Sequence, residues 1–191
     1  IDITKALNKK IRGENRIKNI SGVIVLTMIL ILLLHFHIVK FEKKISKSIK
    51  PYLATSIVFI ILVIISYFIL YSEKNQIYPI NGYSIPVSVL GIIISLLLNS
   101  QIAILCIIVF GLYIGMMSGF NLNYLFFVIV IGITSIYSTT RLRNRNDLFK
   151  AHLIIFTSII ITCFALGFAN NFPVKQIFTN IGFGLFGGLM G

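Results

Sequence analysis

Long runs of uncharged apolar residues, more than any other feature, limit what this chain can fold into. The clearest run covers residues 20–39, which are 20 residues without a charged side chain. An apolar stripe would indicate a helix with one face in water. About 20 apolar residues in succession instead span a hydrocarbon layer of about 30 Å. The sequence therefore predicts an integral membrane protein.

Composition supports this class and indicates the partners. Hydrophobic residues make up 57% of the 191 residues and charged residues 12%, and the mean hydropathy is +0.97. Ordinary globular chains have about 45–50% hydrophobic and about 25% charged residues. The formal charge of +12 gathers in short polar segments between the apolar runs. That distribution is typical of contact with the bilayer and its anionic headgroups, so we do not expect nucleic-acid binding.

The fold class predicted from these runs is all-α, a polytopic membrane bundle of about seven transmembrane helices. The predicted spans are 20–39, 52–71, 85–98, 102–117, 122–140, 153–169 and an unfinished one from 177 to 191. Residues 85–117 are hard to divide, since a single helix of that length would rise about 50 Å. We expect two short spans joined at Asn99-Ser100-Gln101, which either thin the bilayer locally or fail to cross it fully.

Two basic segments are predicted to be cytoplasmic loops that lie on one face of the membrane. Their basic residues include Lys40, Lys43, Lys44, Lys47, Lys50, Arg141, Arg143 and Arg145. Outside the basic tail 1–19, these two segments hold nine of the eleven basic residues. When the tail is counted, the two faces are nearly equal. Charge alone therefore leaves the orientation open, because long translocated segments escape the positive-inside rule.

Glycines are spaced four residues apart in two of the predicted spans. The sequence from Gly182 to Gly187 formally matches a dinucleotide fingerprint, but no strand precedes it and no acidic residue follows it. We interpret the spacing instead as close approach of neighbouring helices. The predicted packing residues are Gly111, Gly115, Gly119, Gly184, Gly187 and Gly188.

Residues that could perform catalysis or bind a metal are sparse. The acidic residues all lie outside the predicted spans: Asp2, Glu14, Glu42, Glu73 and Asp147. An intramembrane carboxylate is the usual relay of an ion-coupled transporter, so its absence disfavours that class. The histidines, His35, His37 and His152, are most simply hydrogen-bonding residues at interfaces. We expect no catalytic, cofactor or metal site within this chain.

Three stretches together resemble the membrane region of the bacterial seven-transmembrane HD receptor family. The first begins Ile85-Pro86 and ends Leu97-Leu98-Asn99-Ser100-Gln101-Ile102-Ala103, similar to the family's helical hairpin, although Gln101 replaces a residue that is often basic. The second is the pattern R-x-R-x-D-L-x-x-A from Arg143 to Ala151. The third is the glycine-rich last span.

The resemblance implies an arrangement for the whole receptor. An extracellular domain would precede the tail 1–19, and the seven-helix domain would be residues 20–191, with the amino terminus outside and the carboxyl terminus towards the cytoplasm of a bacterial cell. It also implies an intracellular HD phosphohydrolase that uses divalent manganese or iron to hydrolyse a cyclic dinucleotide, cyclic di-AMP. No residue here matches the ligands for that metal. Pairing of two receptors as a homodimer is compatible with this arrangement.

A second function from another class stays open at this point. A small membrane transporter or substrate-capture subunit of about six helices would also have this length and hydropathy. The reading frame distinguishes the two, because a hydrolase encoded after Gly191 favours the receptor and a stop codon favours the transporter.

Overall fold

The structure is a computed structural model that describes residues 49–139 and 145–190, together with Val25, which is helical. The regular elements in these two ranges are helices. They are α1 (Ile49–Asn75), a short 3-10 turn (Gly82–Ser84), α2 (Val87–Leu97), α3 (Ser100–Met117), α4 (Leu122–Thr139), α5 (Arg145–Ala169) and α6 (Val174–Leu189). Four of them, α1, α3, α4 and α5, are long and apolar enough to cross a membrane. The predicted all-α membrane bundle is confirmed, whereas the first predicted span, 20–39, lies outside the described residues apart from Val25.

Residues 85–117 form two helices, as predicted, and the break lies at Leu98 and Asn99. The Asn99 side chain caps α3 by accepting a hydrogen bond from the Gln101 backbone N–H at 3.2 Å. The first helix of the pair, α2, has only 11 residues. A helix of that length rises about 16 Å, roughly half of the hydrocarbon thickness. Of the two options left open for this region, the helix length favours a segment that does not cross fully.

Three predicted boundaries are wrong, and each helix begins earlier or ends later than its apolar run. The first of them, α1, extends to Asn75 and so includes Glu73, which lies outside the predicted span 52–71. Helix α5 begins at Arg145, so much of the predicted basic loop 141–150 is helical, and residues 141–144 lie outside the described ranges. Helix α6 begins at Val174, directly after Pro173, whose extended backbone (φ −60°, ψ 143°) makes it the N-cap residue. In these three cases polar residues continue the helix beyond its apolar run, because the helical hydrogen bonds join backbone groups and not side chains.

Helix α4 lies at the centre of the bundle, where it packs against α2, α3 and α5. Its inward side chains include Phe127, Val128, Ile131 and Ile136, each at most 2% exposed. Helix α6 packs on α5 and on the 3-10 turn. This arrangement brings the beginning of α4, the beginning of α6 and the end of α1 to the same end of the bundle.

Candidate functional site

A polar pocket opens at the end of the bundle where α1 ends and where α4 and α6 begin. Its volume is about 570 Å³. The polar and charged side chains that line it include Glu73, Asn81, Asn123, Tyr124, Lys175 and Asn180. These residues come from α1, the α1–α2 connection, α4 and α6. The pocket is therefore built by segments that are far apart in the sequence.

Glu73 joins three of these segments through its two carboxylate oxygens. The Tyr124 hydroxyl donates a hydrogen bond to Oε1, and the Gly82 backbone N–H donates to Oε2 at 2.9 Å. A hydrogen bond to a charged group contributes more than one between neutral groups. The carboxylate thus ties the end of α1 to α4 and to the 3-10 turn.

A second bond ties the same connection to the last helix. The Asn81 side-chain amide donates from Nδ2 to Asn180 Oδ1 at 2.8 Å. Asn81 also accepts from the Tyr83 backbone N–H at 3.2 Å, which caps the 3-10 turn. Asn180 lies inside α6 and is 5% exposed. This hydrogen bond joins the α1–α2 connection to α6.

Aromatic rings form the floor beneath these polar groups. The Tyr83 ring packs edge-on against Tyr124 and Phe127, with ring centroids 5.0 Å away in both cases. Gly82 fits beside this stack because it lacks a side chain, since a Cβ added there would lie 2.7 Å from the Tyr124 ring. The chain turn and the ring stack therefore fix each other's position.

The predicted packing glycines lie outside the pocket, and five of the six are buried. An added Cβ would lie 2.9 Å from Ile129 at Gly111 and 3.0 Å from Leu125 at Gly115. On α6, it would lie 2.8 and 2.7 Å from Ile159 at Gly184 and Gly188, and 2.8 Å from the Ser84 carbonyl oxygen at Gly187. These glycines therefore lie at helix contacts.

Gly119 corrects that prediction. It follows the end of α3 with φ +78°, and a Cβ there would meet nothing within 4 Å. Glycine suits this position because it adopts the left-handed backbone region without strain. Gly119 ends the helix, and among the described residues no neighbouring helix lies where its side chain would be.

The structure describes only some of the other residues that the sequence singles out. His152 lies within α5, where its Nδ1 is 3.0 Å from the Leu148 carbonyl oxygen and its ring packs edge-on against Phe156. His35, His37 and the basic residues Lys40, Lys43, Lys44, Lys47, Arg141 and Arg143 lie outside the described ranges. Within those ranges, no three His, Cys, Asp or Glu residues are grouped so that they could hold a metal ion.

Sequence reasoning missed the residues of the pocket. Two signals were present: Asn180 interrupts an apolar run, and the turn pair Asn81-Gly82 follows α1. A polar residue within a membrane helix is costly unless it has a partner, which makes it a functional candidate. The partner could not be predicted, because Asn81 and Asn180 are 99 residues apart.

A bundle of long apolar helices with a polar pocket at one end defines a multi-pass membrane protein. The family model described as "7TM receptor with intracellular HD hydrolase" matches residues 17–190. The chain therefore belongs to this receptor family and comprises its membrane region. Comparisons with curated proteins and with solved structures found no match.

Proposed function

We propose that this membrane domain transmits a signal from an extracellular domain to a cytoplasmic hydrolase, and that the hydrolase degrades cyclic di-AMP. Membership of the family supports the link to an HD hydrolase. The substrate rests on the resemblance of the helical hairpin and of the R-x-R-x-D-L-x-x-A segment to that family. The manganese or iron ions would be held by the hydrolase and supply its hydrolytic chemistry.

The observation that carries the transmission role is the hydrogen bond between Asn81 and Asn180. In the proposed orientation, Asn81 lies on the extracellular side and α6 leads towards the hydrolase. A change in position of the α1–α2 connection would therefore act on α6 directly. Hydrogen bonds between helices in membrane proteins contribute about 0.6 kcal/mol, and a bond of that size between the connection and α6 is enough to bias two arrangements of similar energy.

The test compares two neighbouring substitutions in the full-length protein in membrane vesicles. Asn180→Ala removes the contact to Asn81, whereas Thr179→Ala alters an exposed side chain whose described hydrogen bond stays within α6, to the Lys175 carbonyl oxygen. We expect Asn180→Ala to change the rate of cyclic di-AMP hydrolysis and Thr179→Ala to leave it near wild type. Equal rates in folded Asn180→Ala and wild-type protein would contradict the role of this contact.

Two controls test the substrate and the metal. The wild-type protein should hydrolyse cyclic di-AMP faster than cyclic di-GMP, and a chelator should abolish both rates until Mn²⁺ or Fe²⁺ is restored. A reading frame that stops after Gly191 would instead favour the transporter.

Cysteine labelling tests the proposed orientation. In intact cells, a membrane-impermeant maleimide should label Tyr78→Cys, in the α1–α2 connection, and should miss Ser46→Cys and Asn144→Cys. Labelling of Ser46→Cys or Asn144→Cys would show that the orientation is reversed, or that the two basic segments do not share a cytoplasmic face.

A further inference from the structure

The polar pocket carries opposite charges on different helices that do not neutralise each other. Glu73 lies on α1, and Lys175 lies in the first turn of α6. Both line the pocket. No ion pair within 4.0 Å joins them, and the salt bridge found among the described residues is between Lys150 and Asp147. Each charge is therefore still able to attract an opposite charge.

The wall of the pocket that Glu73 forms, the Glu73 wall, can accept further hydrogen bonds. Its two described donors, the Tyr124 hydroxyl and the Gly82 backbone N–H, are neutral. A carboxylate has about four lone-pair sites, so two donors leave about two sites available. An ammonium group has three donors and a positive charge, which makes it the group that best complements this wall.

The wall of the pocket formed by the beginning of α6, the α6 wall, is positively charged. Pro173 precedes α6 and makes no side-chain cap, so it leaves the first N–H groups of the helix without a capping partner from that residue. These N–H groups carry the positive end of the helix dipole and favour an anion. Lys175 adds a full positive charge in the same turn.

A buried amide supplies an independent indication that the pocket takes a ligand. Asn180 lines the pocket and is 5% exposed. Its Oδ1 accepts from Asn81, and its Nδ2 carries two N–H groups that can donate to a ligand. The two N–H groups of this amide face a pocket that a ligand can enter. The amide can donate to a carbonyl or carboxylate oxygen.

We propose that this pocket binds a small zwitterion, an amino acid or a short peptide, whose ammonium group contacts Glu73 and whose carboxylate contacts Lys175 and the amino end of α6. The volume of about 570 Å³ suits a small molecule. The Tyr83 ring and Phe172 provide apolar surface for the rest of the ligand. The binding site lies within the membrane region itself and does not depend on the proposed signalling role.

The experiment uses the full-length protein in lipid nanodiscs and three matched peptides. L-alanyl-L-alanine carries both charges, its N-acetyl derivative lacks the ammonium, and its carboxamide lacks the carboxylate. Binding is measured by saturation-transfer NMR. We expect the zwitterion to bind at least about tenfold more tightly than either blocked peptide, since each lost charge-assisted hydrogen bond is equivalent to about a factor of ten.

Two lysine variants identify the site. Lys175→Gln should weaken binding of the zwitterion about tenfold, whereas Lys74→Gln, the same change on the exposed residue next to Glu73, should leave it unchanged. Equal binding of the three peptides, absence of binding, or equal effects of the two lysine variants would each overturn the proposal. Because this readout does not use hydrolysis, failure here is separate from failure of the signalling role.

Discussion

Helices α1 and α4 are both apolar enough to cross a membrane, yet they occupy different environments. Of the four long apolar helices, α1 has the highest hydropathy, but only 22% of its most apolar window is buried, against 44% for α4. Helix α1 contains no glycine, and its exposed side chains are mostly large, such as Ile60, Ile64 and Phe68. Hydropathy therefore does not rank the helices by burial.

The small and polar residues explain the difference. Gly132 on α4 lets Ile107 of α3 pack closely, since a Cβ added at Gly132 would lie only 2.5 Å from the Ile107 side chain. The hydroxyl groups of Thr139 on α4 and Ser95 on α2 are hydrogen-bonded at 2.9 Å. Lipid tails are as apolar as leucine, so apolar side chains alone gain little by leaving them. Close backbone approach and interhelical hydrogen bonds select the partner helix, and α4 has more of both.

The largest effect is expected where a glycine meets backbone. A Cβ added at Gly91 would lie 2.8 Å from the Gly132 carbonyl oxygen and 2.0 Å from Ser135 Oγ. Gly91→Leu should therefore lower the free energy of unfolding by about 3 kcal/mol, the upper end for overpacking. The measurement is thermal or denaturant unfolding in detergent.

A graded series checks this prediction. Gly115→Leu should cost less, because its neighbour is the flexible Leu125 side chain at 3.0 Å. Ile60→Leu on α1, where the residue is 57% exposed, should have almost no effect. An equal loss in Gly91→Leu and Ile60→Leu would mean that the contrast between α1 and the inner helices is wrong.

The next effect is expected at the bond that ties α1 to α4. Tyr124→Phe removes the donor to Glu73 while keeping the ring that packs on Tyr83. We expect a loss of about 1.5 kcal/mol in the free energy of unfolding, the lower value for a hydrogen bond to a charged group. Tyr78→Phe is the control, since that side chain is 64% exposed. If both variants unfold alike, Glu73 does not anchor α1.

A smaller energy should couple Asn81 and Asn180. A double-mutant cycle with Asn81→Ala and Asn180→Ala should give a coupling of about 0.6 kcal/mol, typical of interhelical hydrogen bonds in membranes. The exposed pair Asn123 and Asn170, joined at 2.9 Å, provides the matched comparison and should couple less, because water competes for it. A larger coupling energy for Asn123 and Asn170 than for Asn81 and Asn180 would mean that the buried contact of Asn180 is not the stronger link.

The smallest effect is expected on the exposed face of α1. Ile61 is 50% exposed and Leu62, its neighbour in the same helix, is 3% exposed. Ile61→Ala should change the free energy of unfolding by no more than about 0.5 kcal/mol, as surface substitutions usually do, and Leu62→Ala should cost more. A large loss in Ile61→Ala would show that protein, such as the first span or a second receptor, covers this face.

The apolar runs predicted both ends of five of the six described helices to within a few residues, and the exception is the beginning of α5. The prediction that residues 85–117 form two helices was correct. The boundaries were less predictable. Hydropathy ended the second span at Tyr71, but the helix continues to Asn75, because a helical backbone satisfies its own hydrogen bonds whatever side chains it carries. That extension places Glu73 where it meets Tyr124.

By itself, the sequence determined that this protein is a membrane helix bundle of the HD receptor family. Hydrocarbon excludes charges and unpaired backbone groups, so the uncharged runs must be helices. Only the tertiary structure decided which polar residues meet. Glu73 bonds to Tyr124 across 51 residues and Asn81 to Asn180 across 99. Such contacts depend on how the helices pack, and packing among membrane helices is set by a few small and polar residues whose partners hydropathy does not reveal.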